Sequence, residues 1–208
     1  MKSALIVDDH PVTHLGCGQL LRELDYDPVL EALTDQEALS LARTHAPNLI
    51  VLDLGMPGVG GLNLIEPLLR HVPDSRILIF SMNEQAAFVS KALSAGACGY
   101  LTKNSGPDDF LAAVRALEAG QIYLPHDMAI AIASARIGGR ADPLSTLTER
   151  EHQVLRLLGQ GEDLQSIADA LRVSYKTAAN ASSAIKKKLG AKSTTELIRY
   201  AISAGVVR

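Results

Sequence analysis

Five short, almost uninterrupted apolar runs recur through the first 120 residues, at 4–7, 28–32, 49–52, 77–80 and 99–101. Strands covered on both faces need this pattern, because neither side of a central parallel sheet meets water. Between the runs lie amphipathic stretches of helical length, at 12–24, 35–44, 62–71, 85–95 and 107–119. Thr34 and Glu37 have capping-box spacing before the second stretch, and Ser105 precedes Pro107 where the fifth should begin. Five strand–helix units in succession predict an α/β fold, a doubly wound parallel sheet with right-handed crossovers and helices on both faces.

Such a sheet binds ligands at the carboxyl edge of its strands. Asp8 and Asp9 follow the first run, Asp53 ends the third, Ser81 ends the fourth and Lys103 follows the fifth. Singly, each is as well explained by a cap or a turn. Their recurrence at successive strand ends is the signal. Three crowded carboxylates repel one another unless a cation neutralises them, and a small all-oxygen donor set suits Mg2+. A carboxylate beside that ion can attack a phosphoryl group, with the lysine holding the transferring oxygens and Ser81 donating to them. His10 and His14 have metal-pair spacing, but Pro11 sets His10 at or before the helix start, which argues against zinc. A haloacid-dehalogenase-like phosphatase would need a second acid two residues past its nucleophile, where Gly55 stands. Cys17 and Cys98 are expected to be core thiols.

Charge divides the chain. Residues 1–120 carry 15 acidic and 8 basic side chains, whereas 121–208 carry 8 acidic and 12 basic. An acidic half followed by a basic half suggests two domains with different partners, the second polyanionic. Residues 121–143 read as a connector that includes a possible short helix at 127–136 and a Gly-Gly-Arg-Ala-Asp-Pro loop. Four short helices are predicted beyond it, at 148–158, 164–171, 175–189 and 194–204, with Thr148, Asp163, Ser174 and Ser193 as N-caps. The middle pair has helix-turn-helix length. On its second helix Ala178, Ser182, Ile185 and Leu189 form one stripe, and Lys176, Asn180, Ser183 and Lys187 the opposite one. That polar stripe suits a major groove, where Asn pairs with adenine and Lys with guanine or phosphate. Lys186, Lys187 and Lys188 add positive charge. A helical module that grips a protein, with its lysines merely solvated, fits periodicity and composition equally well.

Residues 5–11 (Leu-Ile-Val-Asp-Asp-His-Pro), 53–57 (Asp-Leu-Gly-Met-Pro), Ser81 and 95–103 (Ala-Gly-Ala-Cys-Gly-Tyr-Leu-Thr-Lys) resemble the receiver domain of two-component response regulators. Residues 147–151, 167–171, 174–177, 188–190 and 196–198 resemble the LuxR-type output domain, and the order of the two matches the NarL/FixJ class. The resemblance implies a flavodoxin-like sheet of order 2-1-3-4-5 over 1–120, a linker over 121–143 and a smaller all-α helix-turn-helix domain over 144–208. It implies that Asp53 accepts a phosphoryl group from a sensor histidine kinase. Asp9, Asp53 and the Gly55 carbonyl would bind Mg2+ directly, with Asp8 assisting through water. Ser81 and Tyr100 match the switch pair, in which the hydroxyl moves onto the phosphoryl oxygen and the ring turns inward. Lys176, Thr177, Asn180, Ser183 and Lys186 to Lys188 would face double-stranded DNA. Leu197, Ile198, Ala201 and Ile202 would help form a homodimer on phosphorylation.

The departures are specific. Gly60 stands where an acidic residue is common, and Asn104 replaces the proline found after the lysine in many receivers. In the recognition helix Ala179, Ala181 and Ser183 stand where the family often carries basic residues or histidine; Thr194, Leu164 and Gln165 are further substitutions. Fewer cations mean fewer phosphate contacts and a shallower salt dependence. The expected function is phosphorylation-dependent transcription control, with a degenerate output domain that binds a protein instead of DNA as the alternative. The chemistry is self-modification rather than enzymatic turnover. Apolar runs fall short of the roughly 18–20 residues of a membrane helix, so a cytoplasmic protein without membrane contact is expected.

Overall fold

Val7 and Leu52 pair side by side at the centre of a parallel sheet, which brings the acids that follow them to one edge. The computed structural model describes residues 2–56, 61–137, 143–204 and 206–207. Strands β1 (Lys2–Val7), β2 (Tyr26–Ala32), β3 (Leu49–Leu52), β4 (Arg76–Ser81) and β5 (Gly99–Thr102) lie in the order 2-1-3-4-5, as expected. Helices α1 (Pro11–Glu23), α2 (Asp35–His45), α3 (Gly61–His71), α4 (Ala86–Ser94) and α5 (Pro107–Glu118) alternate with them.

Successive strand residues point to opposite faces, so each strand feeds two cores. Leu5, Val7, Ile50, Leu52, Ile77 and Ile79 pack against α2, α3 and α4 through Ala38, Leu64, Ile65, Leu68 and Val89. Ala4, Ile6, Leu49, Val51 and Leu78 pack against α1 and α5 through Cys17, Leu21, Phe110, Val114 and Leu117. The edge strand β2 departs from the fully buried pattern and holds Pro28 and the exposed Glu31, as an edge permits. Cys17 is buried as expected; Cys98 is only partly so.

By its contacts the chain divides into two compact units, Met1–Arg140 and Ala141–Arg208. The expected connector 121–143 is therefore largely part of the first. Tyr123 pairs with Gly99 beside β5, donating its N–H to the Cys98 carbonyl and accepting from the Tyr100 N–H. Helix α6 (His126–Ile137) packs on α4 and inserts Met128 into the first core. The Gly-Gly-Arg-Ala-Asp stretch at 138–142 lies outside the described residues.

In the second unit a short 3-10 turn (Pro143–Thr146) precedes α7 (Glu149–Gly159), α8 (Leu164–Ala170), α9 (Tyr175–Leu189) and α10 (Thr194–Ser203). Their core gathers Leu144, Leu147, Val154, Leu155, Leu158, Ile167, Ala178, Ile185, Leu197 and Ala201. The four predicted N-caps all form: the side chains of Thr148, Asp163, Ser174 and Ser193 accept the N–H three residues on. At Thr148 the capping box is reciprocal, whereas Glu196 reaches back one residue further, to the Lys192 N–H. Leu155 is fully buried. Leu155→Ala is expected to destabilise this unit by about 2–5 kcal/mol, by lost burial plus a cavity, in urea denaturation.

Candidate functional site

Because β1 and β3 are neighbours, the residues that follow them share one loop cluster. Asp8 N–H donates to the Ala32 carbonyl and Asp53 N–H to that of Val7, which extends the strand ladder through both acids. The two side chains are buried, at 1% and 4% exposure. Lys103, delivered from the end of β5, places Nζ 2.7 Å from Asp8 Oδ2 and 2.9 Å from Asp53 Oδ2. Asp53 Oδ1 accepts the Gly55 N–H at 3.1 Å. Asp8 Oδ1 accepts the His10 N–H at 2.8 Å, which fixes the chain just ahead of α1.

These contacts set the charges. Burial pushes the Asp53 carboxyl above its ordinary range; Lys103 pulls it down and Asp8 pushes it further up. Burial works against the Lys103 ammonium, but Asp53 and Asp8 outweigh it and raise its pKa, so it stays charged. Three carboxyl groups thus share the site with one ammonium, so acids are in excess. A divalent cation would balance them. Asp9 Oδ1 is buried without a hydrogen-bond partner among the described residues, although His10 Nδ1 lies 2.9 Å away. Donor atoms of Asp8, Asp9, His10 and Asp53 all fall within 4.8 Å of one another. The donor set fits a divalent metal.

Ser81 and Tyr100 come together through a residue the sequence reading did not single out. Ser81 Oγ accepts the Asn83 N–H at 3.2 Å, and Tyr100 OH donates to the Asn83 carbonyl at 2.8 Å. Both side chains have no exposed surface, so the ring of Tyr100 is turned inward here. Asn104 uses the N–H that a proline would lack, donating to Thr102 Oγ1, and its Nδ2 donates to Glu84 Oε1 in the loop after β4. Gly61 was also overlooked. A Cβ there would overlap the Asp53 carbonyl oxygen and the Leu54 Cα, so only glycine lets α3 start this close to the acid. Gly60 and Pro57 lie outside the described residues. His14 does not join the cluster: its ring is buried with Nε2 2.6 Å from the Asp8 carbonyl.

Along α9, Lys176, Thr177, Asn180, Ser183 and Lys187 are exposed and Lys186 is partly buried. Ala178, Ser182 and Ile185 face the core. Lys188 departs from expectation. Its Nζ sits 2.6 Å from Glu151 Oε2, the carboxylate that also closes the α7 capping box. Glu151 is buried, and Lys188, itself exposed, serves as its counter-ion. The expected dimer residues are corrected as well. Leu197 and Ala201 are fully buried in their own unit, where α10 packs on α7, and are unavailable to a partner. Ile202 is 58% exposed and Ile198 partly buried.

Comparison with known proteins fits both halves. Residues 4–115 match the response regulator receiver domain, and residues 145–201 match the bacterial regulatory proteins of the luxR family. The chain is a two-component response regulator of the NarL/FixJ class. It is 38% identical to the transcriptional activator protein ExaE of Pseudomonas putida, over 98% of this chain and 97% of that one. It is 33% identical to the response regulator GacA of Pseudomonas aeruginosa, over 100% and 98% of the two chains. Among solved structures it resembles RcsB from Salmonella enterica serovar Typhimurium, described as bound to a promoter in the presence of a phosphomimetic. That match has a TM-score of 0.60 and 27% identity and covers 96% of this chain and 97% of that one. Within this regulator, Gly61→Ala is expected to destabilise the receiver by about 1–3 kcal/mol, because the overlap is with backbone that cannot yield. Thermal denaturation beside Gly16→Ala, where a Cβ meets nothing within 4 Å, measures the difference.

Proposed function

We propose that the cluster of Asp8, Asp9, Asp53 and Lys103 is a Mg2+-dependent phosphoacceptor site whose product controls DNA binding by the second unit. The observation that carries this reading is the meeting of Asp8 and Asp53 on the partly buried Lys103 ammonium, with the Asp9 carboxyl beside them in the same donor cluster. Asp9, Asp53 and the Gly55 carbonyl would hold the ion, with Asp8 assisting through water. When bound, the ion supplies neutralising charge to the transferring oxygens. An Asp53 carboxylate oxygen attacks the phosphorus of a phosphohistidine on a sensor kinase. The P–N bond breaks, its electron pair stays on the imidazole nitrogen, and an aspartyl phosphate forms. Lys103 offers its ammonium to a phosphoryl oxygen. Ser81 can donate its hydroxyl hydrogen there while still accepting from Asn83 N–H, because the hydroxyl has both capacities. The receiver thus modifies itself and turns over no substrate.

The exposed face of Lys176, Thr177, Asn180, Ser183 and Lys187, with Lys186 at its flank, is the surface offered to double-stranded DNA. Phosphorylation would favour a homodimer that binds paired half-sites, with Ile198 and Ile202 as the candidates left on α10. RcsB bound to a promoter supports DNA over other ligands. A protein partner is the second reading, favoured by the small residues Ala179 and Ala181 on α9 and by the diversion of Lys188 to Glu151. Among the described residues no helix is long and apolar enough to cross a membrane, which agrees with action in the cytoplasm.

Asp53→Asn is expected to abolish labelling of the full chain by acetyl phosphate and Mg2+, read by mass spectrometry of its peptides. Labelling that persists at another residue contradicts the assignment. Lys187→Ala should weaken binding to duplex DNA and reduce the slope of log affinity against log salt by about one unit. Lys188→Ala should instead lower the stability of the second unit by about 1–3 kcal/mol, by leaving the Glu151 carboxylate short of a partner. Unchanged affinity for Lys187→Ala at low salt would show that α9 does not face DNA.

A further inference from the structure

We infer that Asn180 is the residue of α9 that reads sequence, pairing its carboxamide with an adenine in each half-site, and that Lys176 and Lys187 supply affinity without choosing a base. The inference rests on the DNA-binding reading above and deepens it. The outward row of α9 runs Lys176, Asn180, Ser183 and Lys187, while Ala178, Ser182 and Ile185 are buried. The structure separates the polar side chains here that are already engaged from those that are free. Thr177 Oγ1 lies 2.8 Å from Ser174 Oγ, inside the N-cap of the helix, and the Thr177 N–H donates to the same oxygen. Lys188 Nζ sits against Glu151 Oε2. On α8, Gln165 is the other exposed carboxamide of the helix pair, and its Nε2 donates to Asp169 Oδ1 at 3.1 Å. The Asn180 carboxamide is exposed and has no partner among the described residues.

The chemistry of the row assigns the base. An asparagine side chain holds an acceptor, Oδ1, and a donor, Nδ2, in one plane. Adenine presents the complementary pair in the major groove, its N6 amino donor and N7 acceptor, whereas guanine presents two acceptors and each pyrimidine a single hydrogen-bonding group. Ser183, about one turn further on, is shorter, and a hydroxyl that donates and accepts alike distinguishes bases poorly. Ala179 and Ala181 flank Asn180 in the chain, are half-buried and carry no polar group, so neither competes for the base edge. Lys176 and Lys187 are eleven positions apart. That is about 16 Å along the axis, against a groove roughly 12 Å wide. A helix lying across the groove therefore holds Asn180, between them, over base edges and carries the two ammonium groups toward the phosphates on either side. There a point charge adds affinity but reads no sequence.

The test is selection of duplexes from a random pool by the full chain with Mg2+ and beryllofluoride, followed by affinity measurements on the selected site. The natural sequence should select an adenine in each half-site. Replacing it with 7-deazaadenine, which lacks the N7 acceptor, should weaken binding about tenfold. Asn180→Ala should lose both that penalty and the adenine preference, while its other preferences and its salt slope stay as they were. Alanine suits an exposed helix position, so this variant folds. Asn180→Asp, of the same shape without the donor, should move the preference from adenine to cytosine, whose N4 amino group donates. Lys187→Ala should weaken all duplexes alike. An adenine preference that survives both Asn180 substitutions, or an Asn180→Ala loss that is equal on every sequence, overturns the inference. Sequence-selective binding that ignores Asn180 removes this inference alone and leaves the DNA reading standing. If the natural sequence binds no duplex even at low salt, the DNA reading fails and this inference with it.

Discussion

One ammonium shared by two buried carboxylates holds the receiver site together. Lys103 bridges Asp8 and Asp53 from the far side of the cluster, and each of the three reaches it from a different strand end. Strand order makes this possible. β1 and β3 are adjacent, so their acids abut, while β5, two places away, needs the length of a lysine to arrive. Removing either partner from a buried pair leaves an uncompensated charge, which is why such clusters are all-or-none. The bridge is also incomplete, since one ammonium serves two carboxyls with a third, Asp9, beside them, an excess of acid that suits a cation. A phosphoryl group bound to Asp53 would bring new oxygen acceptors into the reach of Lys103 and Ser81.

Two further side chains are coupled at the same edge. Ser81 and Tyr100 lie on neighbouring strands and share Asn83, one through its N–H and the other through its carbonyl. A hydroxyl drawn toward a phosphoryl oxygen would pull the Asn83 backbone, and the ring that depends on it would follow. Asn104 and Glu84 tie the loop after β5 to the loop after β4 at 3.3 Å, adding a second link between them. Rearrangement would then extend to α4 and so to α6, which packs on it. Small displacements in a close-packed core tend to produce discrete alternatives rather than gradual drift.

The parts visible in the sequence were those set by local pattern. β3 is as predicted because a four-residue apolar run followed by Asp53 has few other uses, and the α9 stripe follows from a period of 3.6. What escaped depended on distant partners. Lys188 reads as a groove cation until Glu151, 37 positions away, is known to be its neighbour. Leu197 and Ala201 show that an apolar stripe identifies a buried face without saying whether its own chain or another covers it. The short helix expected at 127–136 is α6, but its weak amphipathicity gave no sign that Met128 anchors it to the first core. Gly61 matters only through the backbone of Asp53 and Leu54, which comes close in three dimensions alone.

The central claim is that these loops form one metal-dependent phosphoryl site on Asp53 that is wired to Ser81, Asn83 and Tyr100. Nuclear magnetic resonance of the full chain with beryllofluoride tests it most directly, by fluorine signals of the bound mimic and amide shifts of the protein. The account predicts bound fluorine resonances that require Mg2+, together with large shifts of the Ser81 and Asn83 amides. Binding that ignores Mg2+, or that leaves those two amides where they were, would contradict it.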